Sequence, residues 1–232
     1  MALRLLEHYT STQGEGPRVG KLTQFVRFAG CNLKCPSWPC DTPFAIDPKL
    51  FNSEQKIHTS QSLAKAIADE EQKTGARNIC FTGGEPLIQP QGELAILVER
   101  LTTYGIYAPE IFTNGTRDVS NDLIDYCNFV VDWKLEGSGE DPFNDVRIAN
   151  LKKFQRPATS IKFTIASQAD LALAHTLWQE HLQRDVFDIF VGPVWEEMSA
   201  QRIVEYIKEN KLPWRLNTQV HNYIYGAQVR GT

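Results

Sequence analysis

Cys31, Cys35 and Cys40 stand on one short run, Gly30-Cys-Asn-Leu-Lys-Cys-Pro-Ser-Trp-Pro-Cys-Asp-Thr42. Three thiolates on a single loop form a metal-binding face with an open fourth side. Such a face can hold an iron–sulfur cluster and leave one iron free for a small molecule. Three residues separate the first pair of cysteines and four the second. Pro36 and Pro39 stiffen the longer gap, because proline fixes φ and lacks an N–H donor. A structural zinc site needs a fourth Cys or His at ribbon-like spacing. The nearest downstream candidate, His58, supplies only half of a paired pattern. A disulfide framework fits poorly with five cysteines and an N-terminal Met-Ala-Leu-Arg-Leu-Leu-Glu that is too short and too charged for a secretory h-region.

The other unusual residues fall where apolar runs end. Asn78 to Thr82 is followed by Gly83-Gly84-Glu85-Pro86, Ile106 to Thr113 by Asn114-Gly115, and Phe129 to Trp133 carries Asp132 and leads into Lys134. Glycines let a ligand approach the backbone closely, and Glu85 is suited to an ammonium group. These runs, with Leu22 to Phe28, Ser160 to Ile165, Val186 to Val191 and Trp214 to Thr218, read as strands rich in β-branched and aromatic residues. Helical periodicity lies between them at Ser62 to Thr74, Glu93 to Tyr104, Ala169 to Leu182 and Ser199 to Asn210. Alternating strand and helix predicts an α/β fold with a parallel sheet. About six strands with helices outside suit a partial (β/α) barrel, since a complete one usually takes ~250 residues. No linker divides residues 1–232, so one domain is expected. Active sites in such folds gather at the carboxyl ends of the strands, which places the cysteine loop, the Gly-Gly-Glu turn, Asn114 and the Asp132/Lys134 pair around one mouth.

Bulk properties narrow the classes. A net charge of −4 and a pI near 5.8 argue against a broad nucleic-acid face. No apolar run reaches membrane-spanning length, and reduced cysteines suggest a cytoplasmic home. Cys80 and Cys127 sit in apolar surroundings and read as small hydrophobes.

The three-cysteine loop together with Gly83-Gly84-Glu85-Pro86 resembles the radical S-adenosylmethionine (SAM) enzymes. The resemblance narrows with Ser11-Thr-Gln13-Gly-Glu15-Gly16-Pro17, with Phe25-Val-Arg27-Phe-Ala-Gly30-Cys31, with Cys40-Asp-Thr42 and with Leu216-Asn-Thr-Gln219-Val-His221. This set, spanning about residues 6 to 225, is similar to the 7-carboxy-7-deazaguanine synthase family. Its members convert 6-carboxy-5,6,7,8-tetrahydropterin to 7-carboxy-7-deazaguanine and ammonia in queuosine and deazapurine biosynthesis.

The resemblance implies roles residue by residue. Cys31, Cys35 and Cys40 would ligate a [4Fe–4S] cluster, and Gly83, Gly84 and Glu85, with Asn114, Asp132 and Lys134, would hold SAM. Gln13, Glu15 and Gly16 would recognise the pterin, Arg27 its carboxylate, and Thr82, Gln219 and His221 the rest of the pocket. Gln219 and His221 are expected two residues apart on one strand face. Thr42 would ligate Mg²⁺, which prefers oxygen ligands and keeps several waters. Reductive cleavage of SAM would supply a radical that takes hydrogen from C6 of the substrate. A flavodoxin-like electron donor and a homodimer are the implied partners. Two rivals remain at this point: a glycyl-radical activase, which shares cluster and SAM, and a non-catalytic zinc-binding module.

Overall fold

A computed structural model describes residues 2–38, 40, 42–154, 158–182, 186–226 and 229–231. Pro39 and Asp41 lie outside the described residues. Seven strands run parallel in chain order: β2 (Leu22–Phe28), β4 (Asn78–Gly83), β5 (Glu110–Thr113), β6 (Asn128–Trp133), β7 (Thr159–Ile165), β8 (Asp188–Pro193) and β9 (Arg215–Leu216). Two more extend the sheet antiparallel beyond β2: β1 (Leu3–Thr12) pairs with β2, and β3 (Lys56–His58) pairs with β1. Among the described residues the result is one open sheet with β3 and β9 at its edges, the α/β partial barrel expected.

Helices fill each crossover: α3 (Ser60–Thr74) precedes β4, α4 (Gln91–Thr103) precedes β5, and α5 (Asn121–Tyr126), α6 (Asp145–Phe154), α7 (Gln168–His181) and α8 (Ala200–Glu209) follow in turn. Their ends follow local chemistry. Thr59 and Ser62 form a reciprocal capping box at the start of α3, and Ser167 and Asp170 do the same for α7. Two short helices, α1 (Pro43–Ile46) and α2 (Pro48–Glu54), follow the cysteine loop. No described helix is long and apolar enough to cross a membrane.

Side-chain alternation assigns the two faces of the sheet. Phe81, Ile111, Phe129, Val131, Trp133, Ile161, Phe163 and Val191 join the main core with the helix residues Leu63, Leu94, Leu97, Leu171 and Leu177. Their sequence neighbours Arg27, Thr82, Phe112, Val130, Asp132 and Lys162 therefore face the other way, into the concave side of the barrel.

Strand β3 and helices α1, α2, α5 and α6 are additional to the expected elements, and three further segments differ from expectation. The strand Leu3–Thr12 carries mixed residues on its concave face (Glu7, Tyr9, Ser11) and a register shift between Leu5 and Glu7, which breaks the period-two signal. The strand expected from Ile106 starts only at Glu110, because Gly105 and Ala108 adopt positive φ and Pro109 follows. Gln219 and His221 do not share a strand face. Gln219 occupies the cap position of a helix, α9 (Val220–Tyr225), that contains His221. The strand stops at Leu216 and the chain docks back on the N-terminal segment, Val220 N–H donating to the Gly14 carbonyl at 3.1 Å, a tertiary contact that overrides local β-propensity.

Candidate functional site

The cysteine loop begins where β2 ends, and the Gly-Gly-Glu turn holds its root. Gly84 N–H donates to the Phe28 carbonyl at 3.2 Å and Glu85 N–H to the Gly30 carbonyl at 2.8 Å. A β-carbon on Gly83 would lie 2.2 Å from the Phe28 oxygen. The glycines thus admit the protein's own backbone, where the sequence suggested close approach by a ligand. Glu85 also departs from expectation. It is fully buried, and its oxygens accept from Leu87 N–H (2.9 Å), Thr113 Oγ1 (2.8 Å) and Asn114 N–H (2.7 Å). Burial raises its pKa, the three hydrogen bonds lower it, and the balance stands at about 7. Its carboxylate ties β4 to the end of β5 and does not offer itself to an ammonium group.

The far side of the loop rests on residues 136–140. Lys34 and Cys35 donate consecutive N–H groups to one Glu140 oxygen at 2.8 and 2.7 Å, around a Cys35 with φ of 44°. Consecutive amides on one anion make a nest. Asn114 Nδ2 lies 3.2 Å from Asn32 Oδ1 and 4.0 Å from Cys31 Sγ, and Leu33 N–H points at the same sulfur at 3.4 Å. Thr42 Oγ1 stands between Cys40 Sγ (3.8 Å) and the Gly83 carbonyl (3.4 Å).

Beneath this mouth the concave face carries charge. Lys134 Nζ lies 2.9 Å from Asp132 Oδ2 and over the Trp38 ring at 5.5 Å. Lys162, opposite Asp132 in register, reaches that same oxygen at 3.6 Å and Glu15 Oε2 at 2.9 Å. Burial alone would raise the Asp132 pKa, but Lys134 and Lys162 hold it down near 2. Glu15 Oε1 accepts from Asn217 Nδ2 at 3.3 Å, and Gly16 N–H donates to Asn217 Oδ1 at 2.8 Å. Gly16 lies beside Phe112 and Val130, and Gly14 beside the His221 ring, where a β-carbon would come within 2.2 Å of Nδ1. The Gln13–Gly16 loop therefore folds into the barrel, with α9 beside it.

Arg27 neighbours Thr82 in register on β4. Its Nε donates to Glu7 at 2.7 Å, its Nη2 to the Tyr9 hydroxyl at 3.1 Å, and Phe44 lies 5.7 Å beneath it. Part of the guanidinium is thus engaged by the protein, and the remaining donors are what a ligand can meet.

Sequence reasoning did not find Lys162, Asn217, Glu140 or Arg147. Arg147 is almost fully buried and stitches two loops, donating to the carbonyls of Asn114 (2.9 Å) after β5 and of Asp141 (3.2 Å) and Lys134 (3.5 Å) after β6. Each of these four acts through a partner remote in sequence, so no local spacing marks it.

The residues fit the implied groups. N–H donors aim at the Cys31 sulfur, as expected for a thiolate ligand, whereas Cys80 and Cys127 are simply buried. Burial lifts the Cys31 and Cys35 thiols to about 11, so ligation displaces their protons. Among the described residues no three His, Cys, Asp or Glu side chains close around a single ion, and His58 bonds Ser62 at 3.4 Å instead. The Gln13 side chain packs against Glu110 and Cys80, and Asp132 Oδ1 is buried without a hydrogen-bond partner, an acceptor left for a polar ligand.

Comparison with known proteins agrees with this arrangement. Residues 12–154 match the family model described as a 4Fe-4S single cluster domain. The chain is 32% identical to the 7-carboxy-7-deazaguanine synthase of Clostridium acetobutylicum, over all of both chains. It is 34% identical to that of Leptospira interrogans, over 96% of this chain and 95% of the relative. The crystal structure of QueE from Escherichia coli superposes with a TM-score of 0.72 at 22% identity, over 94% of each chain. An iron–sulfur loop braced on a Gly-Gly-Glu turn, above a polar barrel floor, is thus carried on a chain with full-length relatives of one kind, and the protein belongs to the 7-carboxy-7-deazaguanine synthase family.

Proposed function

We propose that the barrel mouth binds a [4Fe–4S] cluster and SAM above a carboxypterin, and that the residues described divide the work. The enzyme is a radical SAM lyase that converts 6-carboxy-5,6,7,8-tetrahydropterin to 7-carboxy-7-deazaguanine and ammonia. Cys31, Cys35 and Cys40 would hold the cluster. The Gly83–Glu85 backbone, Asn114, Asp132 and Lys134 line the SAM side, Asp132 with its free oxygen and Lys134 with its ammonium. Gln13, Glu15 and Gly16 face the pterin, with Gln219 and His221 closing over them. Arg27 and Thr82 meet the substrate carboxylate, and Thr42 would share Mg²⁺ with it. When bound, cluster and SAM supply one-electron chemistry that removes a hydrogen atom from the substrate. The protein orients both molecules and keeps water out.

The observation that carries this reading is a continuous one. The backbone bonds from Gly84 and Glu85 fix the root of the cysteine loop, and the Lys134–Asp132–Lys162–Glu15 string runs from beneath that loop to the N-terminal segment. The test is substrate binding against cluster content. Anaerobically purified protein should hold about four iron atoms per chain and bind 6-carboxypterin. Arg27→Ala should keep the iron and lose at least tenfold in pterin affinity, a loss of about 1.4 kcal/mol. A glycyl-radical activase would carry the iron and show no pterin binding. A zinc module would carry neither.

A further inference from the structure

Lys162 is a buried ammonium, its side chain 9% exposed. Burying a charge is costly unless it is paired, and this one is paired with Glu15 and Asp132. Glu15 belongs to a loop 147 residues away, and a loop carboxylate keeps one orientation only when it is tied. Two ties exist. Lys162 takes Oε2 from the β7 side, and Asn217 takes Oε1 while also holding the Gly16 N–H. A carboxylate is an acceptor only, with about four lone-pair positions. Two are used by the described residues, and the others can receive N–H donors from a ligand on the barrel floor.

We infer that Lys162 is a positioning residue for substrate selection. By pinning the Glu15 carboxylate it makes the pocket accept a heterocycle whose edge presents an amino group beside a ring N–H, the 2-amino-4-oxo pterin pattern. The same geometry rejects the 2-oxo counterpart, whose carbonyl would face a fixed carboxylate oxygen. This rests on the reading of Glu15 as a substrate contact. A site built to accept hydrogen bonds discriminates strongly against a ligand lacking the donor, since its own polar groups are then left unpaired.

The experiment is fluorescence titration of cluster-loaded, SAM-bound enzyme, without reductant, using 6-carboxypterin and 6-carboxylumazine. The wild type should prefer the pterin by about 100-fold or more. Lys162→Met should reduce that preference by about tenfold, the equivalent of one charge-assisted hydrogen bond. It should leave iron content unchanged and SAM affinity within about twofold, because Lys134 still pairs with Asp132. Lys162→Arg should restore the preference. Lys162→Met with wild-type discrimination would overturn the inference. So would equal binding of the two ligands by the wild type, a result independent of how any variant folds. If Glu15→Gln alters neither pterin affinity nor preference, the reading of Glu15 itself fails and the inference falls with it. If Glu15→Gln matters and Lys162→Met does not, only the inference fails.

Discussion

Gly84 and Gly30 meet backbone to backbone at the barrel mouth: a β-carbon on Gly84 would stand 2.1 Å from the Gly30 carbonyl oxygen and 3.0 Å from the Cys31 β-carbon. The turn after β4 can lie this close to the root of the cysteine loop only without a side chain. Gly84→Ala should therefore push Cys31 out of place. The expected cost is about 1–3 kcal/mol of stability, with iron content falling below half that of the wild type. Gly92→Ala, where the added methyl meets open space, is the control and should keep full iron. Iron and sulfide assays on anaerobically purified protein decide this, and full iron in Gly84→Ala would contradict it.

Glu140 holds two consecutive N–H groups of the cysteine loop. Glu140→Gln keeps an acceptor for them but removes a negative charge beside the cluster. Its midpoint potential should rise, since nearby charge and hydrogen bonding set cluster potentials, while iron content stays near wild type. Glu140→Ala removes the acceptor too, and its cluster should be stripped faster by a chelator. Redox titration followed by electron paramagnetic resonance separates the two effects. Unchanged potential in both variants would show that the nest does not reach the cluster.

Arg147 satisfies carbonyls from two loops through one planar fork. Lysine has the charge but not the fork. Both Arg147→Met and Arg147→Lys should lower thermal stability by about 3 kcal/mol, because buried carbonyls lose their donors. A lysine variant melting with the wild type would mean that charge alone matters at this position.

Glu110 is almost fully buried at the start of β5, with Arg18 Nε at 3.4 Å. Burial raises its pKa, Arg18 and Lys21 oppose the rise, and it stands near 7. A carboxyl whose pKa is higher in the folded state binds its proton more tightly there. Its favourable contribution is complete below the unfolded value near 4.5 and is lost as pH climbs to about 7. Wild-type stability should therefore decline across that window, with Glu85 adding to the slope. Glu110→Gln should flatten the decline by on the order of 1–3 kcal/mol. Thermal melts at pH 5, 6, 7 and 8 measure it, and an unchanged slope would contradict the assignment.

The parts of the fold and site that sequence reveals are the local ones. Strand–helix alternation is visible because the helix-facing positions of β4, β6 and β7 are mostly apolar. The cysteine loop, the Gly-Gly-Glu turn and the Asp132/Lys134 pair are each a few residues long, so their chemistry can be read directly. Strand β1 escaped because its concave face is polar, as a barrel floor requires. Lys162 looks like an ordinary strand lysine until Glu15 is brought to it from the other end of the chain. Glu85 was legible as important but not in its role, since only burial distinguishes a carboxylate that binds a ligand from one that braces two strands.

The most direct measurement is turnover. Cluster-loaded protein should be incubated without oxygen with 6-carboxy-5,6,7,8-tetrahydropterin, SAM, Mg²⁺ and a one-electron reductant, and the products separated by chromatography. The expected products are 7-carboxy-7-deazaguanine and ammonia, both absent when Cys31, Cys35 or Cys40 is replaced by alanine. SAM cleavage by the fully loaded enzyme with the pterin returned unchanged would contradict this.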